Sequence, residues 1–263
     1  MTNLELFEAV APDISHIETE DGSPVDGIRS EKQMRLLVES LHTSWTGPAA
    51  EGEEEKRFFA ALANVGLFYA IDQPPLVPDV MVSLDVKLRE DLTVKQNRSY
   101  FLWEYGKPPD SVIEIVSNRK GGEDSTRMRT YARLGVAYYV IFDPDHYLSS
   151  KPLRIYELRH RQYVEMKESW MPALGLGLRL WHGTFEDIED TWLRWCDIDG
   201  EVIATGAEAA AQQRQRAEQA DVRAEQAETR AEQAETRAEQ ERARAERLAE
   251  QLRGLGIDPQ TVT

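Results

Sequence analysis

The chain has 263 residues, 47 acidic against 31 basic side chains, a formal charge of −16 and one cysteine, Cys196. That length can carry a sizeable core, while the lone cysteine rules out an intramolecular disulfide and suits a reducing compartment. No stretch approaches the roughly 20 apolar residues of a membrane span, and the start Met1-Thr2-Asn3-Leu4-Glu5 lacks the pattern of a secretion leader, so the expectation is a cytoplasmic protein with no membrane partner.

Residues 1–45 read as an N-terminal extension with a helix over Glu31–Leu41, whose Met34, Leu37, Val38 and Leu41 recur at helical spacing. A second helix is expected over Glu51–Val65, with Phe58, Leu62 and Val65 on one face. Leu67–Ile71 and Val77–Leu84 read as a hairpin around the proline-stiffened Asp72-Gln73-Pro74-Pro75. A polar, basic stretch over 85–106 leads to the strand Ser111–Val116. After a loop containing Gly121-Gly122 comes a helix over Glu123–Leu134 with Met128, Tyr131, Ala132 and Leu134 on its apolar face, and Gly135 as its cap. Val136–Phe142 is a strand ended by Asp143-Pro144. Leu153–Leu158 and Gln162–Met166 form a peripheral hairpin, and Trp170, Trp181, Trp192 and Trp195 supply the core of a cap that closes a 46–200 domain.

From Arg216 the sequence repeats in sevens, as in Arg223-Ala-Glu-Gln-Ala-Glu-Thr, with alanines at 217, 220, 224, 227, 231, 234 and 238 and then Leu248 and Leu252 on the seam. Within a 201–253 segment, Ala207–Arg253 is therefore one continuous helix of about 70 Å, ended by Gly254, with 254–263 as a tail. Alanine buries little area. Self-association through this seam stands beside a solvated single helix as its alternative.

Two carboxylates stand out. Asp79 lies in Val77-Pro78-Asp79-Val80-Met81-Val82 and Glu114 in Ser111-Val112-Ile113-Glu114-Ile115-Val116. An ionised acid in so apolar a strand loses hydration that only a cation, a metal or hydrogen bonds offset. Either alone could point to solvent at a strand end, but two together, followed by a basic helix, mark a candidate site. Around them gather Lys87, Arg89, Lys107, Lys120, Arg127, Arg129 and Arg133, either a local basic rim or a salt-bridged surface. The five histidines show no metal-ligand spacing, which argues against zinc.

The segments Leu76-Val77-Pro78-Asp79-Val80, Tyr100-Phe101-Leu102-Trp103-Glu104, Val112-Ile113-Glu114-Ile115-Val116-Ser117 and Tyr131-Ala132-Arg133-Leu134-Gly135-Val136, with the Asp143-Pro144-ended strand, form a joint pattern. In it the chain resembles the Uma2 family of endonucleases within the PD-(D/E)xK superfamily. The resemblance implies an α/β fold, a restriction-endonuclease-like mixed central sheet flanked by helices, here with the long C-terminal heptad-repeat helix added.

It also implies metal-assisted phosphodiester hydrolysis on nucleic acid, expected to be DNA, by a protein that works as a homo-oligomer, a dimer through the core or the heptad helix. Asp79, Glu114 and the carbonyl of Ile115 would hold Mg²⁺ or Mn²⁺, hard ions that accept oxygen donors. Where the superfamily places a lysine, the third position of Glu114-Ile115-Val116 is valine. The cation moves to Arg127, with Lys120 as a substitute, and Glu55 is the first choice for an additional helix carboxylate. Arginine can brace a charged transition state but is a poor general base. The competing reading is a decayed nuclease fold that serves as a binding or assembly module.

Overall fold

The computed structural model describes residues 13, 14, 16, 17, 27–48, 57–117 and 126–254. Its centre is a six-stranded sheet in the order β1-β3-β5-β6-β7-β8, formed by β1 (Phe59–Ala63), β3 (Val80–Leu84), β5 (Ser111–Ile115), β6 (Tyr138–Phe142), β7 (Leu153–Arg159) and β8 (Gln162–Glu165). Only β5 and β6 run parallel. The other neighbours in the sheet are antiparallel. A parallel pair needs a crossover, which the segment containing α3 (Met128–Leu134) supplies.

All residues of β3, β5 and β6 are buried, because both faces of the sheet are covered. Alternation along the strands sorts them. Val80, Val82, Leu84, Ile113, Ile115, Tyr138, Val140 and Phe142 face α1 (Ile28–Ser44), whose Met34, Leu37 and Leu41 join the same core. A second sheet contributes Met171, Leu176, Leu178, Leu193 and Trp195 to that core. This sheet consists of β9 (Trp170–Met171), β10 (Leu176–Phe185) and β11 (Ile188–Cys196). Met81, Val112, Val116, Tyr139 and Ile141 face the other way, onto Tyr131 of α3 and Tyr100 of β4 (Tyr100–Phe101), which runs into the short α2 (Leu102–Tyr105). Gly135 closes α3 in the left-handed region at φ 90°, where its amide satisfies the Tyr131 and Ala132 carbonyls.

The expected helix over Glu51–Val65 is overturned where the structure describes it: residues 59–63 are strand β1, paired with β3 from Phe59↔Leu84 to Ala63↔Val80. Tertiary pairing overrides the apparent helical period of so short an apolar run. The 67–84 hairpin is corrected as well. β2 (Leu67–Phe68) pairs in parallel with β4, and its one link to the following segment is the bridge Leu67↔Leu76. The proline-rich loop turns the chain without zipping two strands together. α1, which falls in the stretch set apart as an N-terminal extension, is a core helix.

Trp192 and Trp195 are fully buried while Trp170 and Trp181 are half-buried. The chain divides into two units, Met1–Gly206 and Ala207–Thr263. The second contains α4 (Gly206–Gly254), 49 residues long with none buried.

Candidate active site

Strand parity brings the two acids together. Val80 pairs with Ile113 in the antiparallel β3/β5 ladder, so Asp79, one step before Val80, and Glu114, one step after Ile113, meet at the same end of the ladder. They share the parity of Met81 and Val112, and so lie on the α3 face of the sheet. The Asp79 carboxylate is half-buried and is fixed by the strand beside it, its Oδ2 accepting the Ile115 amide N–H at 2.6 Å. The residue expected to offer its carbonyl thus first contributes its amide, as the anchor of Asp79.

Glu114 is 1 % exposed. Removing a carboxylate from water costs several kcal/mol, and two donors, Arg127 at the N-cap of α3 and Tyr131 within it, offset that cost. Arg127 donates from one guanidinium nitrogen to Oε2 at 2.7 Å, and the Tyr131 hydroxyl donates to Oε1 at 3.0 Å. Residues four apart share a helix face, so a single helical turn delivers both donors. Burial first, then the adjacent Glu114 charge, push the Tyr131 phenol well above its ordinary value of 10, which keeps it protonated as a donor at neutral pH. The Arg127 side chain is 40 % exposed: it reaches from a buried acid to solvent.

Asp143 ends the neighbouring strand β6, fully buried as Glu114 is, and makes an instructive contrast. Its oxygens accept the amides of Tyr147, Leu148 and Ser149 at 2.8, 2.7 and 3.0 Å. That acid shapes a turn. Glu114 is bonded instead to a part-exposed guanidinium.

Lys120 and Glu55 lie outside the described residues. Among the described residues no group of three or more His, Cys, Asp or Glu is gathered as a metal would require from protein alone. Asp79 and Glu114 still fit Mg²⁺, which is held through one or two carboxylates with waters and substrate phosphates completing the shell. The role of Tyr131 is the part the sequence did not reveal. Its sequence reading is a place on the helix's apolar face, and the signal for its polar role is the i,i+4 spacing from Arg127.

Uma2, described as "Putative restriction endonuclease", is a family whose model matches residues 5–182. The chain belongs to the Uma2 family. Among solved structures it is similar to a "putative nuclease belonging to DUF820" from Anabaena variabilis, at 14 % identity and a TM-score of 0.33, over 56 % of this chain and 70 % of that one. No functionally curated protein matches it. This Uma2 chain therefore has a mixed α/β core in which Asp79 and Glu114 meet at the same end of adjacent strands, with Arg127 bonded to Glu114.

Proposed function

We propose that this Uma2 protein is a divalent-metal-dependent endonuclease acting on DNA. The observation that carries the reading is the convergence of Asp79 and Glu114 from adjacent strands on a partly exposed arginine. Asp79 and Glu114, with the Ile115 carbonyl beside them, would hold Mg²⁺ or Mn²⁺. When bound, such an ion polarises the scissile phosphate and lowers the pKa of its water.

The chain's own residues orient and balance charge. The Ile115 amide holds the Asp79 carboxylate against the end of β5. Tyr131 and Arg127 fix both oxygens of Glu114 in one orientation, which reduces the reorganisation needed when a cation or phosphate arrives. Arg127 presents a fork of N–H donors, so a guanidinium seated on Glu114 can also face a phosphate oxygen. It stays charged throughout the working pH range and cannot serve as a base. The proton lost by the attacking water must therefore pass to another acceptor, such as a substrate phosphate oxygen.

The same ion pair favours a second reading, a decayed nuclease fold that binds without cutting, since Arg127 already neutralises Glu114. Cleavage of plasmid DNA in Mg²⁺ or Mn²⁺ separates the two. Activity should disappear with a chelator and fall at least a hundredfold in Asp79→Ala and Glu114→Gln, the range seen when a preorganised electrostatic group is lost. Cleavage that survives either substitution overturns the assignment. A wild type that neither cuts nor binds Mn²⁺ in calorimetry points to the decayed fold.

A further inference from the structure

Thirty-one basic residues serve a chain with 47 acids, and most of those near the site have found partners. Lys107 pairs with Asp110 at 2.6 Å, and Lys151 and Arg159, on the nearby β7–β8 side, pair with Glu165 and Glu157. Arg98 donates to the carbonyls of Leu92 and Thr93. One cleft of about 470 Å³ breaks the pattern. It lies between α3 and the start of β8, with Arg129, Arg133 and Arg161 around Met128, Ala132 and Tyr163. All three arginines are exposed. Among the described residues none has an acidic partner, and the one bond they make is from Arg133 to the Thr130 hydroxyl at 3.2 Å.

The backbone that positions Arg161 is strained. His160 and Arg161 form the two-residue turn between β7 and β8, with φ of 48° and 66°, a left-handed pair for which Asn-Gly is the preferred solution. The matching turn of the second sheet, Glu186-Asp187 with φ of 46° and 64°, holds the same conformation. There Glu186 earns its place by accepting bonds from Lys32 and Arg35 of α1. Arg161 has no such contact among the described residues. Strain without an internal return points to an external ligand.

We infer that this cleft is an anchoring site for the phosphodiester backbone of the DNA substrate, separate from the carboxylate site. Three guanidiniums without an acidic partner among the described residues, on a chain of charge −16, suit a polyanion through charge complementarity, and phosphate contacts of this kind set register and orientation. The helix carries both functions on different sides. Arg127 and Tyr131 face Glu114, whereas Arg129 and Arg133 sit about 200° further round and face the cleft. DNA held along the outer side of α3 would thus be gripped away from the bond to be cut. The inference rests on the nuclease reading for the identity of the ligand alone.

Binding of a short fluorescent DNA duplex by the full-length protein, in chelator so that nothing is cut, tests it. Substituting Arg129, Arg133 and Arg161 together by Gln should weaken binding at least tenfold and reduce the salt slope by about 2 to 3, near 0.9 for each phosphate that is no longer neutralised. The triple Arg→Lys variant should recover most of that slope, which separates charge from folding. Changing the turn by His160→Asn with Arg161→Gly should raise Tm by roughly 2 °C, since relieving left-handed strain stabilises, while affinity falls. If the wild type binds and the Gln variant does not, yet no condition gives cleavage, the anchoring site stands and the nuclease reading fails. If the wild type cuts DNA while the Gln variant binds with unchanged affinity and slope, or the Asn-Gly turn binds as tightly as the native one, the inference is overturned.

Discussion

At the scale of single residues, the site is a problem in charge burial solved from one helical turn. Glu114 is 1 % exposed, and the Arg127 and Tyr131 donors offset the cost of burying its carboxylate. Tyr131→Phe keeps the ring and its packing against Tyr139 but removes the donor to Oε1, so it should cost about 1–3 kcal/mol at neutral pH. Because the folded-state phenol is raised above its unfolded value of 10, its contribution is fully present below pH 10 and is lost as pH climbs toward the folded value. The Phe variant should therefore show a shallower loss of stability in alkali than the wild type, measured by urea unfolding from pH 8 to 11. An equal alkaline slope in the two proteins would refute this account of Tyr131. Arg127→Lys should fold nearly as well, since it keeps the charge, and would restore the lysine expected for the superfamily on a new element.

At the scale of elements, what could be read from the sequence depended on how much of the signal was local. β5 and β6, the end of α3 with its Gly135 cap, and the β7–β8 hairpin emerge close to their observed bounds, because each carries its own period and punctuation; the start of that helix expected at Glu123 lies outside the described residues. Asp79 and Glu114 were legible for a related reason: an acid among Val and Ile conflicts with its surroundings. β1 was not legible, because Phe59–Ala63 becomes a strand through its partner Val80–Leu84, a pairing invisible to local spacing. Nor was the place of α1. Its Leu37 and Leu41 are wholly buried against the central sheet, and the Leu37 carbonyl accepts the Trp195 indole N–H at 2.9 Å. Leu37→Ala should consequently cost about 2–5 kcal/mol, seen as a lower urea midpoint with an unchanged slope. A change below about 0.5 kcal/mol, the scale of surface substitutions, would mean that α1 is the appendage its position in the sequence suggests.

At the scale of the whole molecule, the division falls at Gly206, beyond the 200/201 boundary that the heptad composition suggests. The residues between belong to the body. The Ile203 amide bonds to the Trp195 carbonyl at 2.9 Å, the buried Arg194 donates to the Ile203 carbonyl at 2.9 Å, and the Gly206 amide reaches Glu39 at 2.8 Å. A chain cut after Gly200 would strip Ile203 from the core and leave Arg194 short of an acceptor, so loss of stability there would say nothing about the helix. The informative cut follows Gly206. With none of its residues buried, α4 owes its helix to propensity and length rather than packing, and the 1–206 fragment should melt within a degree or two of the full chain. The alanine seam permits close approach of a second helix but buries little area per layer. If it pairs two copies, multi-angle light scattering should give twice the chain mass for the full protein and a monomer for the fragment, with the dimer dissociating on dilution as a weak seam requires. A full-length monomer, or a fragment that remains dimeric, would exclude the helix as the source of pairing.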